Sequence, residues 1–251
     1  MRSLSIFVLA VGAALVLTAS PAHALANGVP VDEGNFQFAA RLTMTGIPNS
    51  DGTTRDSGCS GALVAPEWVL TAGHCFHDVA GKRVGGPVPY DTTVVLGRVE
   101  ADGDGGVDVA VTEVRQSPVN DIALARLETP VTDIEPIMVA AIEPEAGEQL
   151  RLTGWGALKG GLTTAAEHLQ TGLFTVASVD DSTIGVTGEE PAPDTSACLL
   201  DSGAPYFRMT EAGPEVVSTE SSGPGCPHSG EETTARVDVA ADWITETIGE
   251  F

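Results

Sequence analysis

From residue 39 onward, apolar and β-branched residues come in short runs broken by Gly, Pro, Asp and Ser. Runs at Ala39 to Thr45, Ala62 to Leu70, Thr93 to Leu96, Val107 to Val114 and Ile122 to Leu127 predict strands. Leu150 to Thr153, Leu173 to Val179, Thr183 to Val186 and Glu215 to Thr219 continue the pattern. Many short strands at regular spacing predict a sandwich or barrels. Residues 129–147, with Pro130, Pro136 and Pro144 among several acids, predict a linker between two β units. Only the end reads as helix: Val239, Trp243, Ile244, Thr247 and Ile248 recur at helical spacing, with Asp238 as the cap.

The first 24 residues follow another rule. Arg2 precedes a sixteen-residue apolar run from Leu4 to Ala19, and Ala22-His23-Ala24 offers small residues where a signal peptidase reads. This predicts an export signal over residues 1–24 and a mature chain starting at Leu25. The run falls short of the ~20 residues that span a bilayer. A secreted protein with no membrane association after cleavage is therefore expected.

Composition narrows the partners. The 251 residues carry 35 Asp+Glu against 12 Lys+Arg, a formal net charge of −23, which argues against nucleic acid. The acidity suits solubility and the steering of basic peptides. Cys59, Cys75, Cys198 and Cys226 contain no C-x-x-C spacing, so zinc and thiol-redox chemistry lack support. In an exported chain they predict disulfides. Four cysteines allow three pairings, and spacing does not choose among them.

Three strings carry candidate chemistry. Thr71-Ala72-Gly73-His74-Cys75 follows an apolar run, Asn120-Asp121-Ile122 opens one, and Cys198-Leu199-Leu200-Asp201-Ser202-Gly203 sets a serine in a tight turn. In this order, with Thr153-Gly154-Trp155-Gly156 and Arg236-Val237 followed by Asp242-Trp243-Ile244, the chain resembles the chymotrypsin/trypsin family of serine proteases. The resemblance runs from Leu25 to the C-terminal helix.

That resemblance implies an all-β fold of two six-stranded antiparallel barrels and a C-terminal helix, with the active site in the cleft between barrels. The N-terminal barrel would occupy about 25–135, the C-terminal barrel about 136–238 and the helix about 239–249. It implies a secreted serine endopeptidase with Ser202 as nucleophile, His74 as general base and acid, and Asp121 orienting the imidazole. It pairs Cys59 with Cys75 and Cys198 with Cys226, and gives Asp201 an ion pair with a free Leu25 amine. It implies protein or peptide substrates, protein inhibitors as candidate partners, a monomer and no cofactor.

Some residues depart from the family pattern. Leu200 replaces the usual Gly whose N–H joins that of Ser202 in the oxyanion hole, at a position that often needs positive φ. An impaired homologue that binds without cutting is the alternative this raises. Ser196 would lie at the base of the primary pocket, and its neutrality argues against ordinary selection of Lys or Arg. Ser218-Thr219-Glu220 aligns with the family's Ser-Trp-Gly, the strand that pairs with substrate backbone, and Glu232 aligns with the opposite pocket wall. Asp102, Asp104, Asp108 and Glu113 stand where the family has its calcium loop, but Val107 occupies the position where an EF-hand needs Gly. A solvated hairpin tip is expected there. His77 and His228 read as loop residues.

Overall fold

A computed structural model describes residues 25–249, so the expected export signal lies outside the described residues. Twelve strands form two closed antiparallel barrels. The first contains β1 (Ala39–Pro48), β2 (Thr54–Ala65), β3 (Trp68–Ala72), β4 (Asp91–Leu96), β5 (Val107–Gln116) and β6 (Ile122–Leu127). Its neighbours run β5-β4-β1-β2-β3-β6, and β5 pairs with β6 to close the ring. The second contains β7 (Gln149–Gly154), β8 (Gln170–Val179), β9 (Thr183–Glu190), β10 (Pro205–Thr210), β11 (Gly213–Ser222) and β12 (Glu232–Arg236). Its neighbours run β8-β7-β10-β11-β12-β9, closed by β8 against β9. Closure leaves neither ring an open edge.

Alternation along the strands fills each ring. In β1, Ala40, Leu42 and Met44 are buried while Thr43 and Thr45 are exposed, the period-2 pattern of a one-sided strand. Strand β6 is buried at five of six positions, so it reads as a continuous apolar run. Phe36 and Phe38 from the first half meet Phe207 of β10 edge-on, with centroids 5.2 and 5.4 Å apart, and tie the barrels together. The helix α1 (Ala241–Gly249) buries Ile244 in the cluster that fills the first barrel. No helix among the described residues is long and apolar enough to cross a membrane.

Several expectations change in detail. The run Ala62 to Leu70 is not one strand: Pro66 and Glu67 turn the chain between β2 and β3. The Gly- and Ser-rich start of β2, and β10 and β12, carry little apolar alternation and went unpredicted. Their neighbours in the ring hold them in place. Asp238 does not cap the helix. It lies in a 3-10 turn (Asp238–Ala240) and its carboxylate takes Arg236 Nη2 at 2.6 Å and Nε at 3.0 Å.

Candidate active site

His74 sits in a single 3-10 turn, Gly73–Cys75, directly after β3. The turn is held from three sides. Gly73 N–H donates to Asp121 O at 3.1 Å, Gln116 Nε2 donates to Gly73 O at 2.9 Å, and Cys75 is bonded to Cys59 of β2. Asp121 immediately precedes β6, and Asn120 anchors that corner to the other barrel by donating to Arg236 O at 2.7 Å. The Asp121 carboxylate then receives the His74 main-chain N–H at 2.9 Å and His74 Nδ1 at 2.7 Å. Because the carboxylate only accepts, Nδ1 carries the proton and Nε2 faces Ser202 Oγ at 2.9 Å as an acceptor.

Burial would raise the Asp121 carboxyl. Hydrogen bonds from the His74 ring and main chain and from the Ser221 hydroxyl at 2.7 Å outweigh that and hold it below the ordinary carboxylate range. Asp121 therefore stays ionised beside the imidazole. Arg83 Nη1 stands 3.6 Å from its other oxygen and donates to Asn120 O at 2.6 Å.

Ser202 occupies a tight turn packed against β2 and β3. Ser60 N–H donates to Ser202 O at 2.9 Å. Gly203 has φ +83°, and a Cβ there would fall 2.2 Å from Thr71 Oγ1, so no side chain fits behind the serine. Leu200 adopts φ +78°, so the sequence departure is absorbed as backbone strain of ~1–2 kcal/mol. Leu199 O accepts from Ala157 N–H at 2.7 Å. In a trans peptide the carbonyl and the next N–H point oppositely, so the Leu200 N–H is directed away from Ala157. The Leu200 carbonyl is taken by Ser60 Oγ at 3.1 Å.

Asp201 is fully buried behind this turn. Its carboxylate accepts from Gly156 N–H at 2.8 Å and Cys198 N–H at 2.9 Å. Any Cβ at Gly156 would lie 2.1 Å from that carboxylate, which explains the glycine. Desolvation pushes the Asp201 carboxyl up to about 7, against the two main-chain donors. Leu25 is fully buried and Ala26 pairs with Ser196, so the segment that begins there runs into the second barrel beside the serine turn. Cys198 is bonded to Cys226, which gives the short-loop pairing of both disulfides.

A family model described as Trypsin matches residues 25–244. The chain belongs to the trypsin family. It is 28% identical over 252 residues to Serine protease 56 of Mus musculus, covering 88% of this chain and 38% of that protein. Trypsin-like protease of Streptomyces glaucescens is 28% identical over 232 residues, 84% of this chain and 78% of that one. Trypsin V-A of Rattus norvegicus is 28% identical over 204 residues, 76% of this chain and 80% of that one. The chain thus spans 38% of the length of Serine protease 56 from mouse or human.

The strand bordering the site meets Asp121 through Ser221, not Ser218. Ser218 and Thr219 are corrected to barrel interior: both are fully buried, and Ser218 Oγ takes the Thr234 hydroxyl at 2.8 Å. Two serines head polar triplets in this stretch, and only the contact to Asp121 separates them. Glu220 is likewise buried, accepting from Tyr206 OH at 3.0 Å.

Glu232 does lie across from the bordering strand. A Cβ at Gly223 would meet Glu232 Oε2 at 1.6 Å, so the carboxylate presses on that strand. Its other oxygen accepts from Ala197 N–H at 2.8 Å and lies 3.0 Å from His228 Nε2, though not aligned with it as a hydrogen bond. Burial lifts the Glu232 carboxyl to about 7, and burial with the charge of Glu232 raises Glu220 well above the usual range. Neither glutamate faces solvent. Ser196, expected at the pocket base, is fully buried, with its hydroxyl accepting from His228 N–H at 3.2 Å.

The acids at the expected calcium loop do not converge. Asp108 pairs with Arg98 at 2.8 Å and Glu113 with Arg115 at 2.7 Å. No group of three or more His, Cys, Asp or Glu among the described residues is placed to hold a metal ion. Sequence reasoning missed Ser221 and the supports Gln116 and Asn120, whose roles come from contacts across the fold and leave no local motif.

Proposed function

We propose that this chain is a secreted serine endopeptidase whose active centre is Ser202, His74 and Asp121. The observation that carries the reading is the continuous relay of 2.9 Å from Ser202 Oγ to His74 Nε2 and 2.7 Å from His74 Nδ1 to Asp121. A serine hydroxyl is a weak nucleophile until a base takes its proton. As Ser202 Oγ bonds to the scissile carbonyl carbon, its proton passes to His74 Nε2, and Asp121 stabilises the imidazolium. The C–N bond then breaks as His74 returns that proton to the leaving amine. Water repeats the sequence on the ester, releasing the acid and restoring Ser202.

The oxyanion of each tetrahedral intermediate would take the N–H groups of Leu200 and Ser202. One such donor is worth about 10²–10³ in rate. The left-handed backbone at Leu200 supports a formed hole and favours cutting over a homologue that only binds. Export through residues 1–24 would free the Leu25 amine, whose ammonium supplies the cation that buried Asp201 lacks. Treating purified protein with a fluorophosphonate tests the reading. Stoichiometric modification at Ser202, lost in His74→Ala, supports it. Absence of any adduct in the protein beginning at Leu25 overturns it.

A further inference from the structure

On the first-barrel side of Ser202 and His74 lies a cavity of about 220 Å³. Ile47, Leu199 and the Cys59–Cys75 disulfide give it apolar walls, and Arg55 and His77 line it. His77 Nδ1 stands 2.8 Å from Asp78 O, an acceptor only, so Nδ1 carries the ring proton. His77 Nε2 is then free to accept from Arg55 Nη2 at 3.2 Å, which holds the guanidinium at the cavity.

Arg55 differs from most of the chain's arginines. Arg98, Arg115, Arg126, Arg208 and Arg236 each sit within ion-pair distance of a carboxylate. Among the described residues no carboxylate comes within that distance of Arg55, although acids outnumber basic residues 35 to 12. A guanidinium that keeps its charge and finds a neutral histidine as partner leaves donors for a carboxylate from outside the chain.

The leaving amine takes its proton from His74, which lines this cavity together with Ser202, so the amine half leaves over it. Resting on the endopeptidase reading, we propose that Arg55 selects substrates carrying Asp or Glu within the first two residues after the scissile bond. The apolar walls take the aliphatic part of that segment. The preference runs against the net charge of −23, which by itself repels acidic peptides and favours Lys at the same positions.

Matched fluorogenic peptides with Glu, Gln or Lys at each of the two leaving-side positions test this, using protein first certified by fluorophosphonate labelling of Ser202. At low ionic strength kcat/KM should favour Glu over Gln about threefold and Glu over Lys about tenfold, as expected for an exposed pair. The gap should shrink toward unity in 1 M salt and in Arg55→Gln, while Arg55→Lys keeps part of it. Equal rates for Glu and Lys in protein that labels, or a Glu preference that persists in Arg55→Gln, overturns the role of Arg55 alone. Protein that does not label overturns the endopeptidase reading and this inference with it.

Discussion

The Ser221 hydroxyl donates to Asp121 Oδ2 at 2.7 Å, the same oxygen that receives His74 Nδ1. This contact joins the second barrel to a pair built on the first. It lowers the Asp121 carboxyl together with the His74 contacts, and fixes the oxygen on which the imidazole turns.

Ser221→Ala should therefore lower kcat by about three- to tenfold with little change in KM, since one charge-assisted hydrogen bond is lost. Ser218→Ala should leave the pH profile of kcat in place. It should instead cost about 1 kcal/mol of stability by removing the buried partner of Thr234. Steady-state kinetics and denaturant melts on the two variants check the assignment. Swapped phenotypes would restore the alignment on Ser218.

Leu200 places a branched side chain at φ +78°. Glycine relieves the strain and keeps the N–H, whereas a β-branched residue at positive φ is an outlier that pushes the peptide away. The expected order of kcat/KM is Leu200→Gly at or above the parent, with Leu200→Val more than tenfold below it. A Val variant as active as the parent would show that the hole does not depend on this conformation.

Asp201 supplies a pH signature. Its carboxyl titrates near 7 in the folded chain against 3.8 in the ordinary state, so between those values the folded protein binds the extra proton. Stability then falls as pH rises from about 4 to about 7, by at most about 4 kcal/mol from this group, and Glu232 adds with the same sign. A chain retaining Ala24 should show this slope. With the proposed ion pair, a chain starting at Leu25 brings its ammonium to Asp201 and should lose the Asp201 share. Urea midpoints from pH 4 to 8 for the two forms compare them, and parallel curves would count against the Leu25–Asp201 pair.

Glu232 presses its carboxylate against Gly223, next to the strand that carries Ser221. It is the acid proposed to meet a basic side chain on the acyl side. The parent should cleave after Lys or Arg in preference to Ala, and Glu232→Gln should lower the Lys-to-Ala ratio of kcat/KM at least tenfold. An unchanged ratio in peptide-nitroanilide assays would remove Glu232 from substrate choice.

Much of this was legible in the chain itself. The alternating strands β1 and β5, the apolar run of β6, the helix at the end and the three strings around His74, Asp121 and Ser202 are local patterns, and local patterns survive in a single sequence. What stayed hidden depends on partners far along the chain. The register of Ser221 follows from a contact with Asp121 a hundred positions away. The burial of Glu220 and Glu232 depends on Tyr206 OH and Ala197 N–H, and no periodicity marks a glutamate for the interior. The strands β10 and β12 form because the ring must close.

The most direct test traps the acyl-enzyme. Protein beginning at Leu25 is mixed with a p-nitrophenyl ester, quenched in acid within milliseconds and examined by intact and peptide mass spectrometry. One acyl group per molecule is expected, carried on Ser202, released on return to neutral pH and missing from His74→Ala and Ser202→Ala. An unmodified protein, or an acyl group on any other residue, would contradict it.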